Sequence, residues 1–211
     1  LLGLPSLAPR AVVDPNITWE SSRSFQTGVE ARFFNGAIDA SLDYFVKTTS
    51  DLYVNKRLSP STGDAVILTN DGEMVNKGLE FDLTGNIIRN KDFKLSLSVN
   101  GSIYENEITQ MPIENATGEA KVINIDGNFA QTAGRSRYDY YLREWAGVDP
   151  ATGDAQWQES WVDANNNGQY DASEGIADLE VYKAANPNEN IQERITTDYA
   201  DATRKYNGKS L

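Results

Sequence analysis

Apolar and polar side chains alternate with a period of two over residues 20–104, and this pattern predicts β-strands with one apolar face. The first run covers Phe25–Phe33, where every second position is apolar except Thr27. Asn35-Gly36 follows as a strong hairpin signal, because a type I′ turn needs positive φ at both central residues. Every second position of Ile38–Val46 is apolar again, so a second, antiparallel strand is predicted.

Two further strands are predicted over Val75–Thr84 and Phe93–Ile103. Turn-forming residues lie at 88–92, whereas the less regular stretch of residues 48–72 predicts a longer loop. Short turns at one end of long strands and long connections at the other are typical of outer-membrane barrels, whose strands need ~9–11 residues to cross. A soluble β-sandwich alternates in the same way, with strands of ~5–6 residues, so the alternation alone leaves both folds open.

The second face of these strands is polar and carries most of their charge. In a membrane barrel the apolar face would contact lipid and the interleaved side chains would face a water-filled lumen. The charged side chains predicted to line that lumen are Glu30, Arg32, Asp39, Asp43, Glu80, Asp82 and Lys94.

Net charge and two missing residue types narrow the possible functions. The chain has 31 acidic and 19 basic residues, a net charge of −12, and residues 105–211 hold 19 acids and 9 bases of that total, a net of −10. A nucleic-acid partner is not expected, because phosphate binding needs clustered Lys and Arg. The chain has no cysteine and no histidine, which excludes disulfides and the usual zinc ligands. Any bound metal would be a hard cation held by oxygen.

One segment, residues 163–174 with the sequence DANNNGQYDASE, has the spacing of an EF-hand calcium loop. Such a loop takes ligands from positions 1, 3, 5, 7, 9 and 12 and has glycine at position 6. The corresponding ligands are Asp163, Asn165, Asn167, the carbonyl of Gln169, Asp171 and Glu174. Asn and Gly are also ordinary turn residues, so an Asn-rich turn is the alternative. We predict a Ca²⁺ site of modest affinity that stiffens a long loop.

The rest of residues 105–211 alternates poorly and is rich in Gly, Asn and Asp, which predicts a long acidic loop region. Aromatic residues concentrate in Arg135–Val148, where Tyr140, Tyr141 and Trp145 could form a core or a surface that stacks on a ligand. A short helix is expected within Ile191–Tyr206. No pair of carboxylates stands out by its spacing as a glycosidase would require, so an enzyme is not expected.

Several segments resemble the SusC/RagA family of TonB-dependent outer-membrane transporters. Asp14-Pro-Asn-Ile-Thr-Trp-Glu20 is similar to the family's NPNLTWE segment, and Phe33-Phe-Asn-Gly36 and Asn76-Lys-Gly-Leu-Glu-Phe81 follow in the family's order. Tyr141-Leu-Arg-Glu-Trp-Ala-Gly-Val-Asp-Pro150 and the closing Tyr206-Asn-Gly-Lys-Ser210 continue the resemblance. The matched segments therefore span nearly the whole chain.

The resemblance implies an all-β fold, in which the chain is a segment of a 22-stranded antiparallel transmembrane β-barrel with long extracellular loops. Residues 1–19 would be a lead-in, 20–104 four barrel strands with a loop at about 48–72, and 105–211 a long acidic extracellular region. Four strands cannot close a barrel. The chain is therefore expected to be an excised segment or one part of a split barrel, completed by the remainder of the barrel and its plug in the same or another chain.

The family's function implies import of glycans or peptides across the outer membrane of a Gram-negative, Bacteroidota-like bacterium. The implied partners are outer-membrane lipid, a SusD-type surface lipoprotein and TonB, and the turns at 35–36 and 88–92 would be periplasmic. The alternative from a different functional class is a soluble calcium-binding, glycan-adhering β-module. The transported substrate itself is not readable from these residues.

Overall fold

The computed structural model describes residues 14–58, 66–114 and 117–209. The chain divides into two compact units, residues 1–120 and 121–211. Both are built mainly from antiparallel strands, so the all-β prediction is confirmed. No helix in the described ranges is long and apolar enough to cross a membrane.

The first unit is a four-stranded antiparallel meander in the order β1-β2-β3-β4. Its strands are β1 (Ser21–Phe33), β2 (Ile38–Arg57), β3 (Val66–Arg89) and β4 (Lys94–Gln110). Phe34, Asn35 and Gly36 have φ of 51°, 50° and 80°, in the left-handed region that Asn and Gly tolerate best. The predicted hairpin at Asn35-Gly36 is therefore confirmed, with a turn spanning residues 34–37.

The loop predicted over residues 48–72 is mostly strand, which corrects that boundary. β2 continues to Arg57 and β3 begins at Val66, and the two pair as far as Arg57 opposite Val66. Residues 59–65 lie outside the described part. Asp71-Gly72 suggests a turn in sequence but lies inside β3. There Gly72 leaves room for Val54, whose Cγ2 would be 2.9 Å from a Cβ at that position. β4 likewise extends beyond residue 104 to Gln110.

The strand register places the alternating side chains on two separate faces. One row across the sheet is Thr27, Tyr44, Leu79 and Ile103, each directly opposite the next. The face to which this row belongs is apolar and exposed, with Ile103 73% accessible. A free-standing sandwich would bury such a face, and this unit leaves it uncovered.

In its described residues the second unit contains two small sheets, one short α-helix and a 3₁₀ helix over Ala172–Glu174. One sheet joins β12 (Arg204–Lys209), β7 (Asp139–Arg143), β6 (Phe129–Gln131) and β5 (Asn124–Asp126) in that order. The other has β9 (Ala155–Trp161) at its centre, paired with β8 (Trp145–Val148), β10 (Gly175–Ile176) and β11 (Gln192–Thr196). The helix α1 spans Leu179–Ala185 and is capped by Asp178, whose side chain accepts a hydrogen bond from Val181 N.

Two expectations for this region change. The helix expected within Ile191–Tyr206 is wrong: the segment forms β11 and the first part of β12, because its β-branched residues favour a pleated surface. Tyr141 of the aromatic stretch is fully buried in a core with Ile123 and Ala130. Residues 121–211 are thus a folded unit rather than an irregular loop, and their alternation is weak because their strands are only two to seven residues long.

Candidate functional site

The exposed apolar face of the first unit is continuous across all four strands. Its large side chains include Phe25, Val29, Phe33, Leu42, Tyr44, Leu79, Phe81, Leu83, Leu95, Leu97, Val99 and Ile103. Gly101 lies under the ring of Phe81, whose Cε1 would be 2.9 Å from a Cβ at that position. The same face turns polar at Lys77 and Glu105, which pair across β3 and β4. The sheet therefore has an apolar band with a charged boundary on one side.

The opposite face brings together the charged residues predicted to line a lumen. Arg32 Nε donates to Asp39 Oδ1 at 2.6 Å, and with Glu30 and Asp82 these residues line an open groove of about 440 Å³. Asp43 lies directly opposite Glu80 in the register. Like charges at directly opposed positions destabilise a sheet, so this face is expected to be strongly hydrated or covered by a cationic surface. Lys94 stands apart at the start of β4, opposite Arg89.

The predicted calcium loop connects β9 to β10 as the loop of a hairpin. Its two ends are joined by Val162 N, which donates to Glu174 O at 3.2 Å, and by the pairing of Trp161 with Gly175. Between these ends the chain turns through Gly168, whose φ is 74°. The glycine at position 6 of the pattern therefore supplies the left-handed turn predicted for it.

The side chains predicted as ligands bind the loop's own backbone. Asp163 accepts from Gly168 N at 2.8 Å, and Asn167 Oδ1 accepts from Gln169 N at 2.7 Å. Asn165 Oδ1 accepts from Asn167 N at 3.0 Å. These short-range bonds turn several oxygens toward the inside of the turn. They also satisfy part of the hydrogen-bonding capacity that an ion would use.

Asp171 and Glu174 hold the returning half of the loop. Asp171 Oδ2 accepts from the side-chain amide nitrogens (Nδ2) of Asn165 and Asn167, at 2.7 and 3.3 Å. Glu174 is buried and accepts from Ala164 N and Asp171 N, at 2.9 and 3.0 Å. No group of three or more carboxylates converges as a preformed metal centre in the described part of the chain. A cation here would rely on amide and carbonyl oxygens beside the carboxylates.

A buried carboxylate beneath this loop is absent from the sequence-based prediction. Glu159 of β9 is 1% exposed and accepts from Tyr170 Oη at 2.6 Å. Arg194 Nε lies 3.0 Å from Glu159 Oε2, an ion pair without hydrogen-bond alignment. The Arg194 guanidinium also stacks on the Tyr170 ring, 3.6 Å from its centroid. The hydrogen bond to Glu159, together with burial, raises the pKa of Tyr170 to about 12.

A partly exposed aromatic cluster lies on β8, β9 and the segment after β11. Trp145 meets Trp157 edge-to-face at 5.7 Å between ring centroids, and Trp157 meets Tyr199 at 5.3 Å. Arg143 lies over the Tyr199 ring at 4.5 Å. Trp145 and Tyr199 are each more than half exposed. Of the aromatic residues singled out in Arg135–Val148, Trp145 is thus on the surface while Tyr141 is core.

The family of this sheet follows from comparison with known proteins. A family model described as "TonB dependent receptor-like, beta-barrel" matches residues 3–198. The chain belongs to this family. The match extends from the first unit into the second as far as residue 198, so most of the second unit is part of the family's sequence pattern.

Two curated proteins with similar sequences are also named TonB-dependent receptors. TonB-dependent receptor P26 of Formosa agariphila is 34% identical over 110 residues, which is 52% of this chain and 10% of that protein. TonB-dependent receptor SusC of Bacteroides thetaiotaomicron is 32% identical over 97 residues, 46% of this chain and 10% of SusC. The chain thus spans about a tenth of the length of the curated relatives it matches.

Solved structures of a related transporter share the fold. A chain from a structure described as the RagAB peptide transporter aligns with a TM-score of 0.61 and 27% identity, covering 92% of this chain and 19% of that one. The RagAB peptide importer in its "open-open" state aligns with a TM-score of 0.58 and 28% identity, covering 77% and 17%. The open four-stranded sheet is therefore a segment of a TonB-dependent receptor barrel.

Proposed function

We propose that the chain is part of an outer-membrane transporter that imports glycans or peptides. The observation that carries the proposal is the two-faced sheet, which is apolar and exposed on one side and rich in carboxylates on the other. A lipid-facing barrel wall needs this division, because hydrocarbon covers one side and water fills the other. The likeness to the RagAB peptide transporter supports peptides as one of the two substrate classes, and the likeness to the TonB-dependent receptor SusC supports the transporter family.

The slope of the apolar band supports membrane insertion. On β1 the outward apolar side chains run from Phe33 to Phe25, whereas on β4 they run from Leu95 to Ile103. Phe33 shares a row with Leu97, and Phe25 shares one with Glu105. From β1 to β4, three strand spacings away, the band is therefore displaced along the strands by one row, which is two residues. With ~4.8 Å between strands and ~3.4 Å per residue, this displacement corresponds to an angle of about 25°. Strands that tilt in a bilayer require such an oblique band.

The remaining barrel strands and a plug would complete this segment. Within the described residues, the outer strands β1 and β4 each have one edge without a paired strand, and open edges are not tolerated in hydrocarbon. We propose a 22-stranded barrel in the outer membrane of a Bacteroidota-like bacterium, with TonB as the energy source and a SusD-type lipoprotein as the surface partner. Residues 121–211 would form an extracellular unit, and the turn at 34–37 would be periplasmic.

Fractionation and uptake measurements test the transporter proposal. The intact protein is expected in the outer-membrane fraction and should require detergent to stay dispersed. Cells lacking it are expected to lose uptake of fluorescent oligosaccharides or peptides. A protein that is folded and monomeric in detergent-free buffer would contradict the proposal and favour the soluble, glycan-adhering module. That alternative leaves the apolar face of the first unit without a covering surface.

We also propose that residues 163–174 bind Ca²⁺. The loop matches the ligand spacing at Asp163, Asn165, Asn167, Gln169, Asp171 and Glu174, and its glycine makes the required turn. Glu174 is the buried end of the set and stands at position 12 of the pattern, where such loops carry a bidentate carboxylate. The role proposed for the ion is to hold the two halves of the loop together.

Calorimetric titration tests the calcium proposal. Glu174→Gln removes the carboxylate at position 12 but keeps the size of the side chain, so Ca²⁺ affinity should fall by about tenfold or more. Glu189→Gln is the matched control, because Glu189 lies on the surface of the same unit outside the loop. Unchanged affinity in Glu174→Gln would contradict the assignment.

A further inference from the structure

We propose that Glu159, Tyr170 and Arg194 form a latch that preorganises the 163–174 loop for its cation. The inference rests on the calcium proposal and goes beyond it, because none of the three residues is a ligand. Glu159 is a positioning residue: it acts on the loop through the Tyr170 hydroxyl. Its carboxylate is the most deeply buried one in the described ranges.

Tyr170 is held on three sides, although most of its neighbours in the loop are exposed. Its hydroxyl donates to Glu159 at 2.6 Å, and Arg194 covers its ring at 3.6 Å. Trp161 meets the same ring edge-to-face, with 5.7 Å between centroids and an angle of 89°. Residues 164–169 are exposed. The half of the loop that returns to β10 is therefore fixed to the sheet through the Tyr170 side chain, in addition to the backbone pairing of Gly175 with Trp161.

Gly175 gives the latch its space. A Cβ at this position would lie 2.7 Å from Glu159 Oε1 and 3.2 Å from Tyr170 Oη. Gly175 directly follows Glu174, the last predicted ligand, and pairs with Trp161. The returning half of the loop is therefore in close contact with Glu159 at two points, Tyr170 and Gly175.

Fixing the returning half lowers the conformational cost of binding an ion. Asp163, at the start of the loop, lies two residues beyond the end of β9, so β9 holds the entering half. The latch holds the other half through Tyr170, which stands next to Asp171. A side chain that must be immobilised in the binding step lowers the affinity by up to about tenfold. Removing the latch should therefore weaken cation binding by about tenfold while leaving every ligand in place.

Terbium luminescence and calcium titration on the intact protein in detergent test the latch. Tb³⁺ replaces Ca²⁺ in oxygen sites, and energy transfer from Tyr170 and Trp161 would report binding at this loop. The variants are Tyr170→Phe, which removes the hydroxyl alone, and Glu159→Gln, which keeps a hydrogen-bond acceptor but loses the charge opposite Arg194. Tyr140→Phe is the control, because Tyr140 stacks on Phe129 in the other sheet of this unit.

The expected result is about tenfold weaker Tb³⁺ and Ca²⁺ binding for Tyr170→Phe, a smaller loss for Glu159→Gln, and wild-type binding for Tyr140→Phe. Wild-type affinity in both latch variants would overturn the latch and leave the calcium site standing. If the wild-type protein binds neither ion, the calcium proposal fails and the latch fails with it. A circular-dichroism spectrum equal to that of the wild type confirms that each variant is folded.

Discussion

Lys77 and Glu105 form an ion pair, 3.3 Å between Nζ and Oε2, on the face of the four-stranded sheet that carries the apolar band. The two residues lie directly opposite each other on β3 and β4, one row beyond Leu79 and Ile103. An exposed pair of this kind adds little stability in water. The position of the pair is informative, because it marks the row at which the apolar band ends.

Arginine placed within the band should be far more damaging than arginine at its boundary. Leu83 lies midway along the apolar run of β3, in the row of Ala31, Ala40 and Val99. Leu83→Arg should lower the free energy of unfolding by about 2–4 kcal/mol in lipid, the cost of arginine near the bilayer midplane. Lys77→Arg should change it by less than about 0.5 kcal/mol. Denaturant unfolding in vesicles measures the free energy of unfolding of both variants. Equal losses of stability would contradict the position of the apolar band.

Gly78 is required where β3 approaches β4. A Cβ at this position would lie 2.6 Å from the Ile103 carbonyl oxygen and 3.0 Å from the Phe45 ring. Gly78→Ala should therefore cost about 1–3 kcal/mol by overpacking. Gly85→Ala on the same strand is the control, because its nearest neighbour would be Leu97 O at 3.9 Å. Thermal or denaturant midpoints should fall for the first variant and stay level or rise for the second.

Tyr170 should ionise late in the folded protein. Its hydrogen bond to Glu159 and its burial raise the pKa to about 12, above the ordinary ~10. Because the folded-state pKa is the higher one, the stabilising contribution is complete below about pH 10 and declines as the pH rises toward 12. The difference in tyrosinate absorbance between wild type and Tyr170→Phe should titrate near pH 12 when folded and near ~10 in denaturant. A midpoint near 10 in the folded protein would contradict the contact with Glu159.

Thr203 should contribute to stability through its hydroxyl group. Its Oγ1 accepts from Ser160 N at 2.7 Å and donates to Ile176 O at 2.5 Å, and the residue is 1% exposed. Thr203→Val keeps the shape but leaves a buried N–H and C=O without this partner, at a cost of about 1–3 kcal/mol. Thr197→Val, at an exposed position, should be neutral. Faster hydrogen exchange at Ser160 N in Thr203→Val would show that the lost stability comes from this hydrogen bond.

The strands of the first unit were predictable because each alternates over a long run. The limits of β2 and β3 were not, since beyond Val46 the cross-strand pairs mix polar and apolar residues and Asp71-Gly72 has the sequence of a turn. Backbone hydrogen bonds between β2 and β3 continue there, although the sequence has no regular apolar alternation that would predict a strand. In this unit, periodicity in the sequence marks where one face of the sheet is apolar, whereas cross-strand hydrogen bonding continues beyond that stretch.

The second unit shows a different limit. The spacing of Asp163–Glu174 predicts a turn with converging oxygens, and the backbone bonds of Asp163 and Asn167 agree with it; cation binding stays a prediction. Glu159 was missed because it becomes significant only when β9 and β11 bring it beside Arg194, 35 positions later in sequence. The one available signal was a carboxylate between Trp157 and Trp161 in a strand-like alternation.

The lengths of β2 and β3, 20 and 24 residues, set how far this wall stands from the membrane. At ~3.4 Å per residue β3 is about 80 Å long, whereas a band ~25 Å tall occupies about 30–35 Å of a strand tilted by ~35–45°. In the proposed setting more than half of β3 is therefore outside hydrocarbon, as a stiff paired ribbon. In that setting, a partner that docks at the mouth of the barrel would contact hydrogen-bonded sheet at a fixed height above the lipid.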